Sequence, residues 1–156
     1  MKPAELCIED KIAALSRSAV FSRLETDAAR LLAEAMKTER LAAGEVLFEA
    51  GDVSDRVYLV VEGALRVTVG PHRTRALRAG DVLGEYALFA GLIRTATVAA
   101  EAPATLLSLD YTRFRSFLTT VPGAALILLQ IAIERMLELE ARLSASDQAA
   151  PRRTEP

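Results

Sequence analysis

Closely spaced glycines between residues 44 and 91 are the feature that most constrains the fold of this 156-residue chain. Short runs rich in valine, leucine and threonine separate them, and such runs favour strands, whereas glycine favours turns. The pattern predicts many short antiparallel strands, which is typical of a sandwich or barrel of jelly-roll type. The seven glycines are Gly44, Gly51, Gly63, Gly70, Gly80, Gly84 and Gly91.

The predicted strands lie between these glycines and alternate with polar turns. Segment 50–55 (AGDVSD) is predicted to be a turn, and segment 70–73 (GPHR) a hairpin turn. The strands are predicted at 46–48, 57–62, 64–69, 74–77, 82–83, 95–100 and 105–110.

Helical patterns flank the strands on both sides. Residues 4–17 carry apolar side chains at loosely helical spacing, and Thr26 with Asp27 predicts the start of a second helix that runs to about Thr38. After the strands, Asp110 is predicted to cap a short helix at 111–119. Pro122 then opens a long helix that is predicted to end near residue 145.

The predicted fold class is therefore mainly β with flanking helices, in one domain. We expect an N-terminal helical segment at 1–39, a β core at 40–110 and C-terminal helices at 111–146. The polar, proline-containing tail at 147–156 is predicted to be disordered.

Composition argues against several classes of function. The net charge of −2 does not indicate general affinity for nucleic acid. Cys7 is the only cysteine and His72 the only histidine, so a thiolate metal site, a histidine cluster and a His-dependent catalytic triad are not expected. Charged residues near the N-terminus interrupt any apolar core of a signal peptide. The longest apolar run, 124–129, is far shorter than the ~20 residues of a membrane span. We expect a cytoplasmic protein that is not an enzyme and holds no metal.

The stretch 80–98 (GDVLGEYALFAGLIRTATV) contains the candidate site. Glu85 and Arg94 lie nine positions apart among apolar and small residues. Exposed backbone amides and one arginine suit a phosphate, and a lone carboxylate suits a hydroxyl donor such as a ribose. The alternative is that Glu85 and Arg94 form an internal ion pair in a β-barrel loop.

Four pieces of the chain resemble the cyclic nucleotide-binding domain family: 48–67, 77–85, 84–88 and 93–98. Members of that family include the catabolite activator protein, protein kinase regulatory domains and cyclic nucleotide-gated channels. The resemblance covers roughly residues 18–146. It implies a double-stranded β-helix, a jelly-roll-like β-roll, with N-terminal helices, a short C-terminal helix and a long helix that serves as lid or dimerisation element.

The resemblance also implies a ligand, cAMP or cGMP, and no other cofactor. The Gly84-Glu85 pair would place the Glu85 carboxylate on the ribose 2′-hydroxyl, and Arg94 would pair with the cyclic phosphate. The remaining implied contacts are the backbone amides of Tyr86 and Ala87 and the hydroxyl of Thr95 to the phosphate, Ala96 as a small wall residue, and Val67 and Leu77 beside the base.

The long helix is expected to supply the rest of the site. Arg135 lies 41 residues after Arg94, where several relatives carry an arginine that caps the base, and Leu139 follows one turn later on the same face. A second apolar stripe steps by three and four residues, the pattern of helix pairing. It predicts a homodimer, although Glu140 weakens it, and the alternative is packing on the chain's own core. The stripe is Leu126, Leu129, Ile133, Met136, Glu140 and Leu143.

These expectations combine into a cyclic nucleotide sensor that acts on an unknown effector protein. The sequence contains no helix-turn-helix segment after the long helix, so we expect no direct DNA binding. The short apolar runs likewise predict no membrane contact. The alternative is a degenerate β-roll that works as a ligand-independent dimerisation or interaction module.

Overall fold

The computed structural model describes residues 4–84 and 93–149, with side chains described through residue 145. This part of the chain contains four helices and eight strands. In chain order they are α1 (Ile8–Ser16), α2 (Thr26–Ala35), β1 (Lys37–Leu41), β2 (Val46–Phe48), β3 (Arg56–Glu62), β4 (Ala64–Val69), β5 (Arg73–Arg78), β6 (Val82–Leu83), β7 (Thr97–Ala100), β8 (Ala104–Asp110), α3 (Tyr111–Thr120) and α4 (Pro122–Ala149).

The strands form two four-stranded antiparallel sheets that face each other. Their orders are β1-β8-β3-β6 and β2-β7-β4-β5. The chain passes from one sheet to the other at Gly63, which has φ 96° and whose hypothetical Cβ would lie 2.4 Å from the carbonyl oxygen of Pro103. Only glycine fits there. The predicted β-roll with flanking helices is confirmed.

Two apolar clusters share the first sheet. On β3, Val57 and Leu59 face the helices, where they join a cluster with Leu15 and Phe114. The alternate residues of the same strand face the interior of the roll and join a cluster with Leu65 and Val98. Because both faces of β3 are buried, its sequence is almost continuously apolar instead of alternating.

The N-terminal helical prediction was wrong at its end. α2 ends at Ala35 rather than near Thr38, and residues 37–41 form strand β1, which pairs with β8 from Lys37↔Ser108 to Leu41↔Ala104. The strand therefore crosses the predicted boundary between segments 1–39 and 40–110. Its polar sequence, KTERL, carries little strand signal, and pairing with the apolar β8 overrides it.

The C-terminal helices largely follow the prediction. The Asp110 carboxylate accepts a hydrogen bond from the backbone N–H of Arg113 at 2.8 Å and so caps α3. α4 extends to Ala149, so residues 147–149 are helical and their predicted disorder was wrong. The rest of the predicted tail, 150–156, lies outside the described residues.

α3 and α4 meet at a sharp bend of 110°. Among the described helices, none alone has the length and apolar character needed to cross a bilayer. The bent pair of Tyr111–Thr120 and Pro122–Ala145 meets that requirement only when its two helices are taken together.

Candidate functional site

Arg94 is a buried cation in the loop before β7. Its side chain is only 7% exposed, and its guanidinium carbon lies 4.1 Å from the ring centre of Phe48 and 5.7 Å from that of Tyr58. The Nη2 atom donates to the carbonyl oxygen of Arg56 at 2.8 Å. Two aromatic faces and one carbonyl oxygen therefore hold the guanidinium in place.

These contacts leave part of the guanidinium unsatisfied. Within residues 4–84 and 93–145, the buried Nε atom of Arg94 has no hydrogen-bond partner and no carboxylate forms an ion pair with this side chain. A buried charge without a counter-ion is costly, and aromatic faces offset only part of that cost. The arrangement is chemically suited to an incoming anion.

The segment 49–55 holds the backbone of Arg94. The N–H of Gly51 donates to the carbonyl oxygen of Arg94 at 2.8 Å, and the N–H of Arg94 donates to the carbonyl oxygen of Asp52 at 2.8 Å. The Asp52 carboxylate closes this turn by accepting from the N–H of Glu49 at 2.9 Å. The turn predicted at 50–55 is thus confirmed, and its hydrogen bonds hold both the N–H and the carbonyl group of Arg94.

Gly84 brings its backbone against the guanidinium. It has φ 90°, and a Cβ built on it would lie 2.6 Å from Nη1 of Arg94 and 2.8 Å from the carbonyl oxygen of Arg56. The Gly84 carbonyl oxygen accepts a hydrogen bond from the Tyr111 hydroxyl, which also contacts Oγ of Ser54 at 2.7 Å. A side chain at position 84 would therefore displace the arginine or the strand beside it.

Tyr58 provides a neutral aromatic wall beside Arg94. Burial and, to a lesser extent, the Glu39 carboxylate raise the pKa of its phenol, Arg56 and Arg94 lower it, and the net result is a pKa of about 12. The phenol therefore stays protonated at ordinary pH. Its ring stacks on that of Phe48 with a centre-to-centre distance of 6.1 Å.

The other site residues predicted in the roll are divided between its interior and its surface. Val67 on β4 and Leu77 on β5 are buried in the cluster between the sheets, and Ala96 packs against the same cluster. Thr95 is exposed next to Arg94. Three further predicted residues, Glu85, Tyr86 and Ala87, lie outside the described residues.

A cleft of about 370 Å³ lies between the roll and α4. Leu77 lines it from the roll, and Arg135 and Leu139 line it from α4, so the structure brings these three predicted residues together. Glu138 and Arg142 add charge to its α4 side, and Arg94 is not among its lining residues.

Within the described residues, the apolar contacts of α4 with the rest of the domain lie in its N-terminal half. Ala124 and Ile131 are buried, Ile127 and Leu128 are partly buried against the same cluster, and an exposed ion pair joins Arg23 to Glu134 through two hydrogen bonds of 3.2 and 3.0 Å. The Arg23 guanidinium lowers the pKa of the Glu134 carboxyl. Much of the remaining apolar surface is exposed, namely Leu126, Leu129, Ile133, Met136, Leu137, Leu139 and Leu143.

Four side chains that surround Arg94, at the arginine end of the site, were not predicted from the sequence. Phe48 and Tyr58 were assigned only to strands, and Ser54 and Tyr111 only to a turn and to the start of a helix. The proximity of Tyr111 to Ser54 spans 57 positions, and no local pattern indicates it. Within the described residues, no three His, Cys, Asp or Glu side chains are grouped so that they could hold a metal ion.

Comparisons with known proteins show which sequences and folds this chain resembles. The sequence model described as "Cyclic nucleotide-binding domain" matches residues 38–121. The chain is 33% identical over 116 residues to a cyclic nucleotide-gated potassium channel of Rhizobium etli, covering 74% of this chain and 32% of the channel. It is 36% identical over 111 residues to a cAMP-dependent protein kinase regulatory subunit of Blastocladiella emersonii, covering 68% of this chain and 28% of the subunit.

A solved structure shows the same fold at comparable identity. The N-terminal domain of a transcriptional regulator from Streptomyces coelicolor superposes with a TM-score of 0.70 and 30% identity, covering 81% of this chain and 94% of that one. This chain spans about a third of the length of the two curated relatives named above. With the family match extending over more than half of its residues, the chain belongs to the cyclic nucleotide-binding domain family.

Proposed function

We propose that this chain is a regulatory module that binds cAMP or cGMP and is not an enzyme. The observation that carries the proposal is Arg94, a buried guanidinium that is held in place but has no counter-ion among the described residues. The two relatives named above, a cyclic nucleotide-gated channel and a cAMP-dependent kinase regulatory subunit, support the same ligand class.

A cyclic phosphodiester matches the arginine end in charge and size. It carries one negative charge, and a planar guanidinium can donate two parallel hydrogen bonds to its oxygens. Thr95, exposed beside Arg94, would add a hydroxyl donor. Glu85 would accept from the ribose 2′-hydroxyl, and the amides of Tyr86 and Ala87 would complete the phosphate site.

We place the base toward α4. Val67 and Leu77 offer apolar surface from the roll, Ala96 leaves room beside them, and Arg135 with Leu139 lines the cleft from the helix. A planar guanidinium can stack on a purine, as it does on aromatic side chains. Binding would draw α4 over the ligand, provided that the ligand has higher affinity for the covered state.

The output is proposed to pass through α4 to a second copy of the chain and to an effector protein. The exposed stripe from Leu126 to Leu143 supports a homodimer, because a helix that is apolar on a face away from its own domain favours another partner. Direct binding to DNA or to a membrane is not part of this proposal, and a cytoplasmic location remains a prediction.

Calorimetric titration with cAMP and with cGMP tests the proposal. The unsubstituted chain should bind at least one of them with micromolar or tighter affinity. Arg94→Ala should weaken binding by about a hundredfold or more, because truncating one partner of a buried charge pair costs roughly 2–5 kcal/mol. Arg135→Ala should weaken it by only about twofold to fivefold, since a cation over a ring in a solvent-accessible cleft contributes roughly 0.5–1 kcal/mol.

Arg73→Ala is the matched control, because Arg73 is an exposed arginine of β5 that lines neither end of the site. It should bind like the unsubstituted chain. If neither nucleotide binds at millimolar concentration, the chain is better described as the ligand-independent interaction module. If Arg94→Ala binds normally, Arg94 does not hold the phosphate.

A further inference from the structure

A chain of buried polar groups joins the first residue of α3 to the backbone beside Arg94. The Tyr111 hydroxyl donates to the carbonyl oxygen of Gly84 and lies 2.7 Å from Oγ of Ser54. Tyr111 is 6% exposed and Ser54 is 2% exposed. Buried hydroxyl groups hold their partners in a fixed geometry because water cannot replace the lost hydrogen bonds.

Three contacts fix Tyr111 and the first turns of α3. Its backbone N–H donates to the carbonyl oxygen of Asp55 at 3.0 Å, and the Asp110 cap fixes the first turn of α3. One turn later, Phe114 is 1% exposed and packs edge-on against Phe21 at 6.3 Å. The phenol therefore has little freedom to move independently of α3.

The groups that Tyr111 contacts are the groups that position Arg94. Gly84 lies so close to Nη1 of Arg94 that a Cβ would fall 2.6 Å from it. Ser54 belongs to the segment whose Gly51 and Asp52 hold the Arg94 backbone. The Tyr111 hydroxyl thus bridges the backbone of Gly84, which lies against the guanidinium, and the segment that holds the Arg94 backbone.

We propose that Tyr111 is a positioning residue for the anion site, through the hydrogen bonds of its hydroxyl to Gly84 and Ser54. This role of Tyr111 rests on the proposed function, since the position of Arg94 matters for nucleotide affinity only if Arg94 binds the phosphate. Tyr111 holds the Gly84 backbone where the guanidinium can face an anion, and it couples that geometry to α3, the helix that leads directly into α4.

The test uses Tyr111→Phe, which keeps the buried ring and removes only the hydroxyl. Its affinity for the better of cAMP and cGMP should fall by about threefold to tenfold, as expected for the loss of a buried hydrogen bond. Ser54→Ala should weaken binding in the same direction. The double variant should lose less than the product of the two single effects, because both act through one hydrogen-bond chain.

A second readout needs no nucleotide. The NMR signal of the Arg94 Nε–H group in the ligand-free protein should shift in Tyr111→Phe, because the guanidinium changes its surroundings. Ser108→Ala is the matched control: it removes another buried hydroxyl, one that donates to Glu39 at 3.1 Å and does not contact Arg94. It should leave both the affinity and the Arg94 signal unchanged.

The outcomes separate the two proposals. If the unsubstituted chain binds neither nucleotide, the proposed function fails, and with it the role of Tyr111. If the unsubstituted chain binds and Tyr111→Phe binds equally well, only the role of Tyr111 is overturned. A lowered melting temperature with unchanged affinity and an unmoved Arg94 signal would show that the hydroxyl is merely structural, and would also overturn it.

Discussion

The two ends of the candidate site are built in different ways. At the arginine end, Arg94 is buried against the rings of Phe48 and Tyr58, hydrogen bonds with segment 49–55 and Arg56 hold it in place, and Tyr111 holds the Gly84 backbone beside it. At the helix end, Arg135 and Leu139 project from α4 into an open cleft. Among the described residues, α4 contacts the remainder of the domain through two buried and two partly buried apolar residues and an exposed ion pair.

This difference suggests how the two ends divide the work of the proposed sensor. A receptor for a buried charge must be arranged before the ligand arrives, because reorganising polar groups around a charge reduces the net binding energy. A cover must move, and movable elements have few buried apolar contacts. We infer that the arginine end provides most of the affinity and that α4 provides the conformational response.

Matched glycine substitutions should give the largest contrast between the two ends. Gly84 at the arginine end and Gly80 in the cleft both have positive φ, 90° and 96°. Alanine should strain both positions by roughly 1–2 kcal/mol. Gly84→Ala should also displace Arg94 and weaken nucleotide binding by about a hundredfold or more, whereas Gly80→Ala, whose Cβ meets the Arg17 carbonyl oxygen at 2.9 Å, should bind within about tenfold of the unsubstituted chain.

Calorimetric affinity together with denaturant unfolding measures both effects. Gly70→Ala is the control for backbone strain alone, because Gly70 has φ 64° and no atom lies within 4 Å of its hypothetical Cβ. Equal losses of affinity for Gly84→Ala and Gly80→Ala would contradict the division of the site into a fixed end and a movable end.

A charge on the exposed stripe of α4 should have a smaller effect on the affinity for the nucleotide, but it should change the oligomeric state. Ile133 is 44% exposed, so Ile133→Glu should leave the fold intact. In the proposed dimer it would place a carboxylate in an apolar interface, which is unfavourable without a partner. Light scattering should show the mass of a dimer for the unsubstituted chain and of a monomer for Ile133→Glu.

The control for this prediction is Leu31→Glu, since Leu31 on α2 is similarly exposed at 48% and lies outside α4. It should not change the mass. Self-association through Ile133 would be contradicted if the unsubstituted chain is a monomer, or if the Ile133→Glu variant remains a dimer.

The sequence predicts the β-roll well because its signals are local. Glycine turns and apolar runs identify most strands, and Asp110 identifies the start of α3. β1 escapes prediction because its polar residues become a strand only through pairing with β8. Segment 93–98 likewise identifies Arg94. The rings of Phe48 and Tyr58 beside it and the hydrogen bonds of the Tyr111 hydroxyl depend on contacts between distant positions. Local patterns therefore predict the side chain that would bind the phosphate, but not the residues that hold this side chain in place.

The most direct test of the central claim is the stability of Arg94→Met, measured by urea unfolding with and without the nucleotide that the unsubstituted chain binds. If Arg94 is a buried cation without a counter-ion, methionine should leave the ligand-free free energy of unfolding within about 1 kcal/mol of the unsubstituted value, or raise it. A ligand at a hundred times its Kd should stabilise the unsubstituted chain by about 2.7 kcal/mol and Arg94→Met hardly at all. If the ligand-free variant instead loses about 3–5 kcal/mol, Arg94 is one half of an internal ion pair, and its role as a preformed receptor for the phosphate is contradicted.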